Sequence, residues 1–321
     1  MKRQHFLRAA AAAVLAAGLG GAWAQPYPSK PVTFIIPFPP GGTLDTVGRM
    51  LAAKLGEQMG QTFIVDNRPG GAGTIGALLV KQAAADGYTL LFSPSTHTTT
   101  PMTMKTAPYD PVKDFAPIAL VAKAPLAVAV NKNLPVTDVK GLVTYAKAHP
   151  GKLSFAIGST GSAGHLSTEL LRRSGGLDFL IVPYKGSSPA YQDLVGGQID
   201  GFIDPILGSQ PFAKAGQLKL IGVTSKARVP SLANVPTVGE TIPGYEFYSW
   251  YALWGPAKLP ADIVARLNTE VNKALSTDMR AKLESQGLLV SGGSVDDFVK
   301  FERDDMAKSQ KIITEGRIRA E

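Results

Sequence analysis

The stretch "VTFIIPFPPGGTLDTVGRMLAAKL", Val32 to Leu55, carries a complete strand, loop and helix in a few lines of chain. Its opening run of β-branched and aromatic residues, Val32 to Ile36, predicts a short strand buried on both faces. The proline and glycine cluster from Pro37 to Asp45 stops that strand, and Gly41-Gly42 stand just before the next element with Thr43 as the expected N-cap. From Leu44 to Met59 the apolar residues Leu44, Val47, Leu51 and Leu55 recur at helical spacing and share one face. This is half of a βαβ unit, and whether it repeats decides the fold.

It repeats. Phe63 to Asp66 predicts a strand, Ile75 to Ala85 a helix, Asp86-Gly87 a turn and Tyr88 to Phe92 a strand. A second set begins near Ala124. It has strands at Leu126 to Val130 and Leu153 to Ile157, and helices at Val139 to His149 and Ala163 to Arg173. Phe179 to Val182, Pro189 to Val195 and Ile199 to Ile203 continue the alternation, and Leu218 to Thr224 reads as a returning strand. Ala261 to Leu275, Asp278 to Gln286 and Val295 to Glu315 are helical and are expected to complete the first set. The expected fold class is α/β, with two lobes of mostly parallel sheet flanked by helices and a hinge where the chain crosses between them. The boundaries read as a signal peptide at 1–24, one lobe from 25–123 and 225–321, and the other from 124–224.

The ends and the composition narrow the function. Lys2, Arg3 and Arg8, the apolar run Ala9 to Leu19, and Ala22-Trp23-Ala24 form the basic, apolar and cleavage regions of a secretory signal peptide ending near Ala24. The apolar run is shorter than the roughly 20 residues of a spanning helix. The chain holds 33 basic and 25 acidic residues; without the three of the signal the balance is 30 to 25, a net charge of +5. That charge is dispersed, with no basic cluster interleaved with aromatics, so nucleic acid is not an expected partner. With no cysteine, thiolate catalysis, disulfides and cysteine metal sites are excluded. His97, His149 and His165 are too far apart to suggest a metal site, and no metal or cofactor is expected.

Three loops after strands share one chemistry. "PFPPGGTLD" (Pro37 to Asp45), "GSTGSAGHLSTE" (Gly158 to Glu169) and "SPSTHTTT" (Ser93 to Thr100) combine glycines or hydroxyls with a following helix or turn. A helix start offers free N–H groups and partial positive charge, glycine lets an anion come close, and hydroxyls add neutral donors. One such loop in each lobe makes a clamp for a carboxylate or phosphate without arginine. The plainer reading of each loop is a tight turn with a helix cap.

Two enzyme readings are weaker. "RPGGAGTIGA", Arg68 to Ala77, contains G-x-G-x-x-G, but the strand after it ends in Ser93-Pro94-Ser95 with no ribose-binding acid. Gly71 and Gly73 are instead expected to shape a wall of the cleft, with Arg68 structural. Ser159 or Ser162 with His165 and Asp204 suggests a hydrolase triad, but Ser162 lies in S-A-G-H rather than G-x-S-x-G, and no catalytic residue is assigned.

Taken in order, "YPSKPVTFIIPFPPGGTLDTVGRMLAAKL", "VDNRPGGAGTIGALLV", "ADGYTLL", "PYDPVKDFAPIALVA", "VPYKGSSPAYQDLVGGQIDGFID" and "VPTVGE" resemble the tripartite tricarboxylate transporter substrate-binding receptors, the Bug family. The resemblance runs from Tyr27 past Gly293. It implies a type II periplasmic-binding-protein-like fold of the Venus-flytrap kind, monomeric and without catalytic activity. Such a receptor captures a small organic acid and hands it to membrane permease subunits. Carried onto this chain, the first-lobe clamp is Phe38, Gly41, Gly42 and Thr43, with Ser93 and Ser95 bordering the cleft. The second-lobe clamp is Ser159, Thr160, Ser162, Ala163 and His165. Asp204 would face the distal end of the ligand, as an acceptor for an amine, a hydroxyl or a protonated acid. Its plainer role is a strand-end residue before Pro205. Tyr184 and Lys185 are further candidates for the second lobe, and His97 for specificity. A ligand-sensing partner of a sensor kinase and an exported serine hydrolase are the alternative functions.

Overall fold

A computed structural model describes residues 27–319, so the expected signal peptide at 1–24 lies outside the described residues. The first unit forms as its sequence dictates: β1 (Val32–Ile36), then α1 (Thr43–Met59) with Leu44, Val47, Leu51 and Leu55 buried. β2 (Phe63–Asn67), α2 (Thr74–Lys81) and β3 (Thr89–Pro94) follow. β1 pairs in parallel with both β2 and β3.

The centre of the molecule is less regular than a chain of βαβ units. β4 (Phe115–Asn131) runs on well before the strand expected at Leu126 to Val130, and β9 (Tyr248–Pro256) pairs with it antiparallel. β9 also pairs antiparallel with β3. The stretch "YSWYALWGP" alternates as a strand must. Tyr251 and Leu253 enter one core, while Trp250, Ala252 and Trp254 enter another on the opposite face. The sheets are therefore mixed, parallel in their outer βαβ units and antiparallel in the middle.

β4 belongs to both lobes. Up to Pro125 it pairs with β9; from Leu126 onward it pairs with β7 (Gly201–Pro205) and β8 (Leu218–Val223). In this second half Leu126, Val128 and Val130 point into one core, and Ala127 and Ala129 point away from it. β5 (Ser154–Ile157) pairs in parallel with β6 (Leu180–Pro183) and with β7. α4 (Val139–Ala148), α5 (Ala163–Ser174), α6 (Ser187–Gly196) and α7 (Ile206–Lys214) belong to this lobe.

The last part of the chain serves both cores. α8 (Ala261–Leu275) and α9 (Asp278–Ser285) place Leu267, Val271, Leu275 and Leu283 in the first core, and β10 (Leu289–Val290) adds to β4. α10 (Val295–Gly316) packs Phe298 against the first lobe but Ile312 and Ile313 in the core of the second. Val238, Ile242, Tyr245 and Phe247 also join that second core. These residues lie within 225–321, the segment expected in the first lobe, yet they pack in the second core. At about 1.5 Å per residue α10 is long enough to reach both cores, which helical periodicity alone does not reveal.

Candidate functional site

A cavity of about 480 Å³ lies where the strand ends of the two lobes face each other. Its walls come from the loop after β1, the end of β3 and the start of β9 on one side. The loops after β5, β6 and β7 form the other. This is the crevice at the carboxyl ends of strands where α/β sheets take ligands. Helix N-termini reach it from both lobes: Gly42 and Thr43 of α1, Ser162 and Ala163 of α5, and Gly186 and Ser187 of α6.

The first-lobe loop is held from behind. Buried Asp45 accepts the Gly41 N–H at 3.0 Å, the Arg49 Nε at 3.0 Å and the Asn67 Nδ2 at 3.0 Å. Asn67 Nδ2 also donates to the Phe38 carbonyl at 3.0 Å, so one amide and one carboxylate fix both ends of the turn. Burial pushes the Asp45 carboxyl up, but hydrogen bonds from Arg49, the Gly41 backbone and Asn67 outweigh it and hold the group below its ordinary value. Gly42 rather than Thr43 is the N-cap, with extended backbone, and Thr43 is the first helical residue. The Gly41 N–H is taken by Asp45, so the free N–H groups at this end of α1 are those of its first turn, whose Thr43 and Leu44 line the cavity.

The G-x-G-x-x-G segment supports this loop without lining the cavity. Gly73 has φ of 94°, and a Cβ there would lie 3.3 Å from the Phe38 ring; one on Gly76 would lie 2.8 Å from Pro37. The glycines let α2 press against Pro37 and Phe38. Arg68 is paired with Asp66 at 2.9 Å and is remote in role from the cleft.

In the second lobe Ser162 caps α5 by accepting the His165 N–H at 3.2 Å, which leaves its hydroxyl proton available to a ligand. His165 Nδ1 accepts the Gly161 N–H at 3.2 Å. Burial first, and Arg172 second, lower the imidazole to about 4, so it is neutral near pH 7. Asp204 instead accepts from Ser187 Oγ at 3.1 Å and Tyr191 Oη at 3.1 Å. Ser162 thus meets the His165 backbone rather than its ring, and Asp204 is bonded to Ser187 and Tyr191 rather than to His165, so the three do not form a nucleophile, base and orienting acid.

Of the residues singled out from sequence, Phe38, Gly41, Gly42, Thr43, Ser159, Ser162, Ala163 and Asp204 line the cavity. Thr160, His165, Ser93 and Ser95 lie off its wall. For Ser93 and Ser95 the reason is that "SPSTHTTT" is not an open loop. It ends β3 and winds into α3 (Thr96–Thr103), whose hydroxyls turn back on carbonyls. Thr98 Oγ donates to Ser95 O at 2.8 Å, Thr103 Oγ to Thr100 O at 2.8 Å, and Thr99 Oγ to Gly161 O of the facing lobe at 2.6 Å. Only Pro94 and Thr96 of this stretch reach the cavity.

His97 is corrected as a specificity residue. It is buried against Tyr109, Phe115 and Trp254, with ring centroids 5.0, 4.4 and 4.8 Å away, and burial drops its pKa to about 3. Tyr184 donates to Asp193 at 2.6 Å outside the wall, while Lys185 lies on the wall and is exposed.

Ser187, Tyr191, Ser249 and Tyr251 also line the cavity and were not anticipated. Ser187 was within reach, because "KGSSPA" repeats the glycine-then-hydroxyl pattern before a helix. Tyr191 and Tyr251 carried no signal, since a buried tyrosine at helix or strand spacing reads as core.

Residues 47–318 match the tripartite tricarboxylate transporter family receptor. A UPF0065 protein from the tcbD-tcbE intergenic region of Pseudomonas sp. strain P51 is 36% identical, over 92% of this chain and 88% of its own length. Among solved structures, R. palustris Rpa4515 with adipate has a TM-score of 0.88 and 38% identity, covering 91% of this chain and 99% of that one. MatC (Rpa3494) from Rhodopseudomonas palustris with bound malate has a TM-score of 0.83 and 32% identity, covering 89% and 100%.

Proposed function

This chain belongs to the tripartite tricarboxylate transporter receptor family, a family of solute-binding receptors and not of enzymes, and we propose that its own solute is a small organic carboxylate. The observation that carries this is the convergence of helix N-termini from both lobes on one cavity, with Ser159, Ser162 and Thr43 among its lining residues. Free N–H groups and hydroxyl donors in a partly dehydrated cleft suit a carboxylate better than any neutral group. Related structures with adipate and malate support the same class of ligand.

In this reading Phe38, Gly42, Thr43, Ser159, Ser162 and Ala163 form the clamp. The lobes close on the anion by rotation at β4 and at the Thr224 to Phe247 crossover. The protein works in the periplasm as a monomer and delivers the acid to the membrane subunits of a tripartite transporter. Calorimetry and thermal shift against a panel of mono-, di- and tricarboxylates test it. One-to-one saturable binding with a raised melting temperature is expected. If no carboxylate binds while sugars or amines do, the reading fails. Loss of uptake of the bound acid on deleting the gene, restored by the intact gene, tests delivery.

A further inference from the structure

The donors that line the cavity share it with one acid. Among the charged residues that line it, Asp204 is the acid and Lys185 the base, and Lys185 is exposed. Asp204 closes β7, and its carboxylate meets Ser187 Oγ and Tyr191 Oη, both neutral. Tyr251 of β9 is the other titratable group facing it, and burial raises both phenols above their ordinary values, so neither supplies charge. No described cation is paired with Asp204.

The space beside this acid is kept open. Gly208, in the first turns of α7, lines the cavity, and a Cβ there would lie 3.1 Å from Asp204 Oδ2. Any larger side chain would cover the oxygen. An acid on the wall of a ligand cavity, whose hydrogen-bond partners are two neutral hydroxyls, is stabilised by a ligand cation and repels a ligand anion.

Resting on the carboxylate reading, we infer that Asp204 receives a protonated amine of the ligand, so that the solute is an amino carboxylate rather than a dicarboxylate. The helix N-termini hold its carboxylate, and Asp204 holds its ammonium. A dicarboxylate meets Asp204 with like charge, and a plain monocarboxylate leaves the acid unpaired. Burial pushes Asp204 up to about 7, so a fraction of the free receptor carries a proton there near neutral pH. Pairing with an ammonium expels that proton; a second ligand carboxylate holds it or takes up another.

The test is calorimetry of the full mature chain at pH 7, in two buffers of different ionisation enthalpy. Probes are 2-aminohexanoate, 6-aminohexanoate, adipate and hexanoate, with their four-carbon counterparts. An amino carboxylate is expected to bind at least about ten-fold more tightly than the matched diacid and monoacid, with proton release. Asp204→Asn should remove that preference and the proton release, and Gly208→Val, which covers the oxygen while leaving the acid, should do the same. Tighter binding of a diacid or plain monoacid than of every amino carboxylate overturns the inference and leaves the carboxylate receptor standing. An Asn variant that keeps both preference and proton release also overturns it. No binding by any probe counts against both.

Discussion

Leu126 and Thr224 are bonded to each other twice at the point where the chain passes between lobes. The Thr224 N–H donates to the Leu126 carbonyl at 2.9 Å, and the Leu126 N–H donates to Thr224 Oγ at 2.8 Å. The same hydroxyl donates to the Phe247 carbonyl at 2.7 Å, and Thr224 is fully buried. One side chain therefore ties β4 to the chain entering β9. Thr224→Val keeps the shape but leaves a buried N–H and carbonyl unpaired. It should lower unfolding free energy by ~1–3 kcal/mol in urea titration, with Thr224→Ser restoring most of it. An unchanged midpoint for the Val variant would show that the knot is not structural.

Asp45 organises the first-lobe turn without lining the cavity. Asp45→Ala should weaken binding of the tightest acid by about ten-fold or more in calorimetry, because the Phe38 to Thr43 backbone loses its anchor. Its carboxyl is held below the ordinary range in the fold, so the stability it supplies is complete above the unfolded value near pH ~4 and is lost as pH falls below that. Acid unfolding of the native protein should therefore be steeper than that of Asp45→Asn over the same range.

Close packing at two glycines should be intolerant. A Cβ on Gly164 would lie 2.4 Å from the Ile203 carbonyl oxygen, a backbone atom with little room to yield. Gly164→Ala should cost ~1–3 kcal/mol in chemical denaturation. At Gly73 the positive φ and the nearby Phe38 ring combine, and Gly73→Val should impair acid binding more than it lowers stability. Binding unaffected by Gly73→Val would separate the glycine segment from the site.

Glu302 gives the opposite pH dependence from Asp45. It is buried and accepts the Trp254 indole N–H at 3.0 Å, and burial raises it to about 7. A raised acid stabilises the fold fully below its unfolded value near pH ~4.5, and that contribution is lost as pH rises through 7. Glu302→Gln should therefore gain on the native protein by about 3 kcal/mol at pH 8 and show little difference at pH 4. Trp254 fluorescence during urea unfolding is the readout, and equal stability at both pH values would count against it.

Much of the architecture was legible because periodicity is local. Leu44, Val47, Leu51 and Leu55 announced α1, and the last three helices fell where their spacing put them. The clamp loops were legible for the same reason, since glycine and hydroxyl before a helix is a short pattern. What misled was equally local. The hydroxyls of "SPSTHTTT" look like ligand donors, but in a helix they satisfy carbonyls three and four residues back.

The sequence by itself determined the alternation of strands and helices, the family resemblance, and the two loops after β1 and β5 that open on the cavity. Only the tertiary structure decided that β4 and α10 serve both lobes, that Gly41 spends its N–H on Asp45, that His97 is core, and that Tyr191, Ser187 and Gly208 surround Asp204. The division has a physical cause. Helix and strand formation reads neighbours within a few residues. The environment of the Asp204 carboxylate is set by groups 17 and 13 residues away, brought together by sheet register and helix packing.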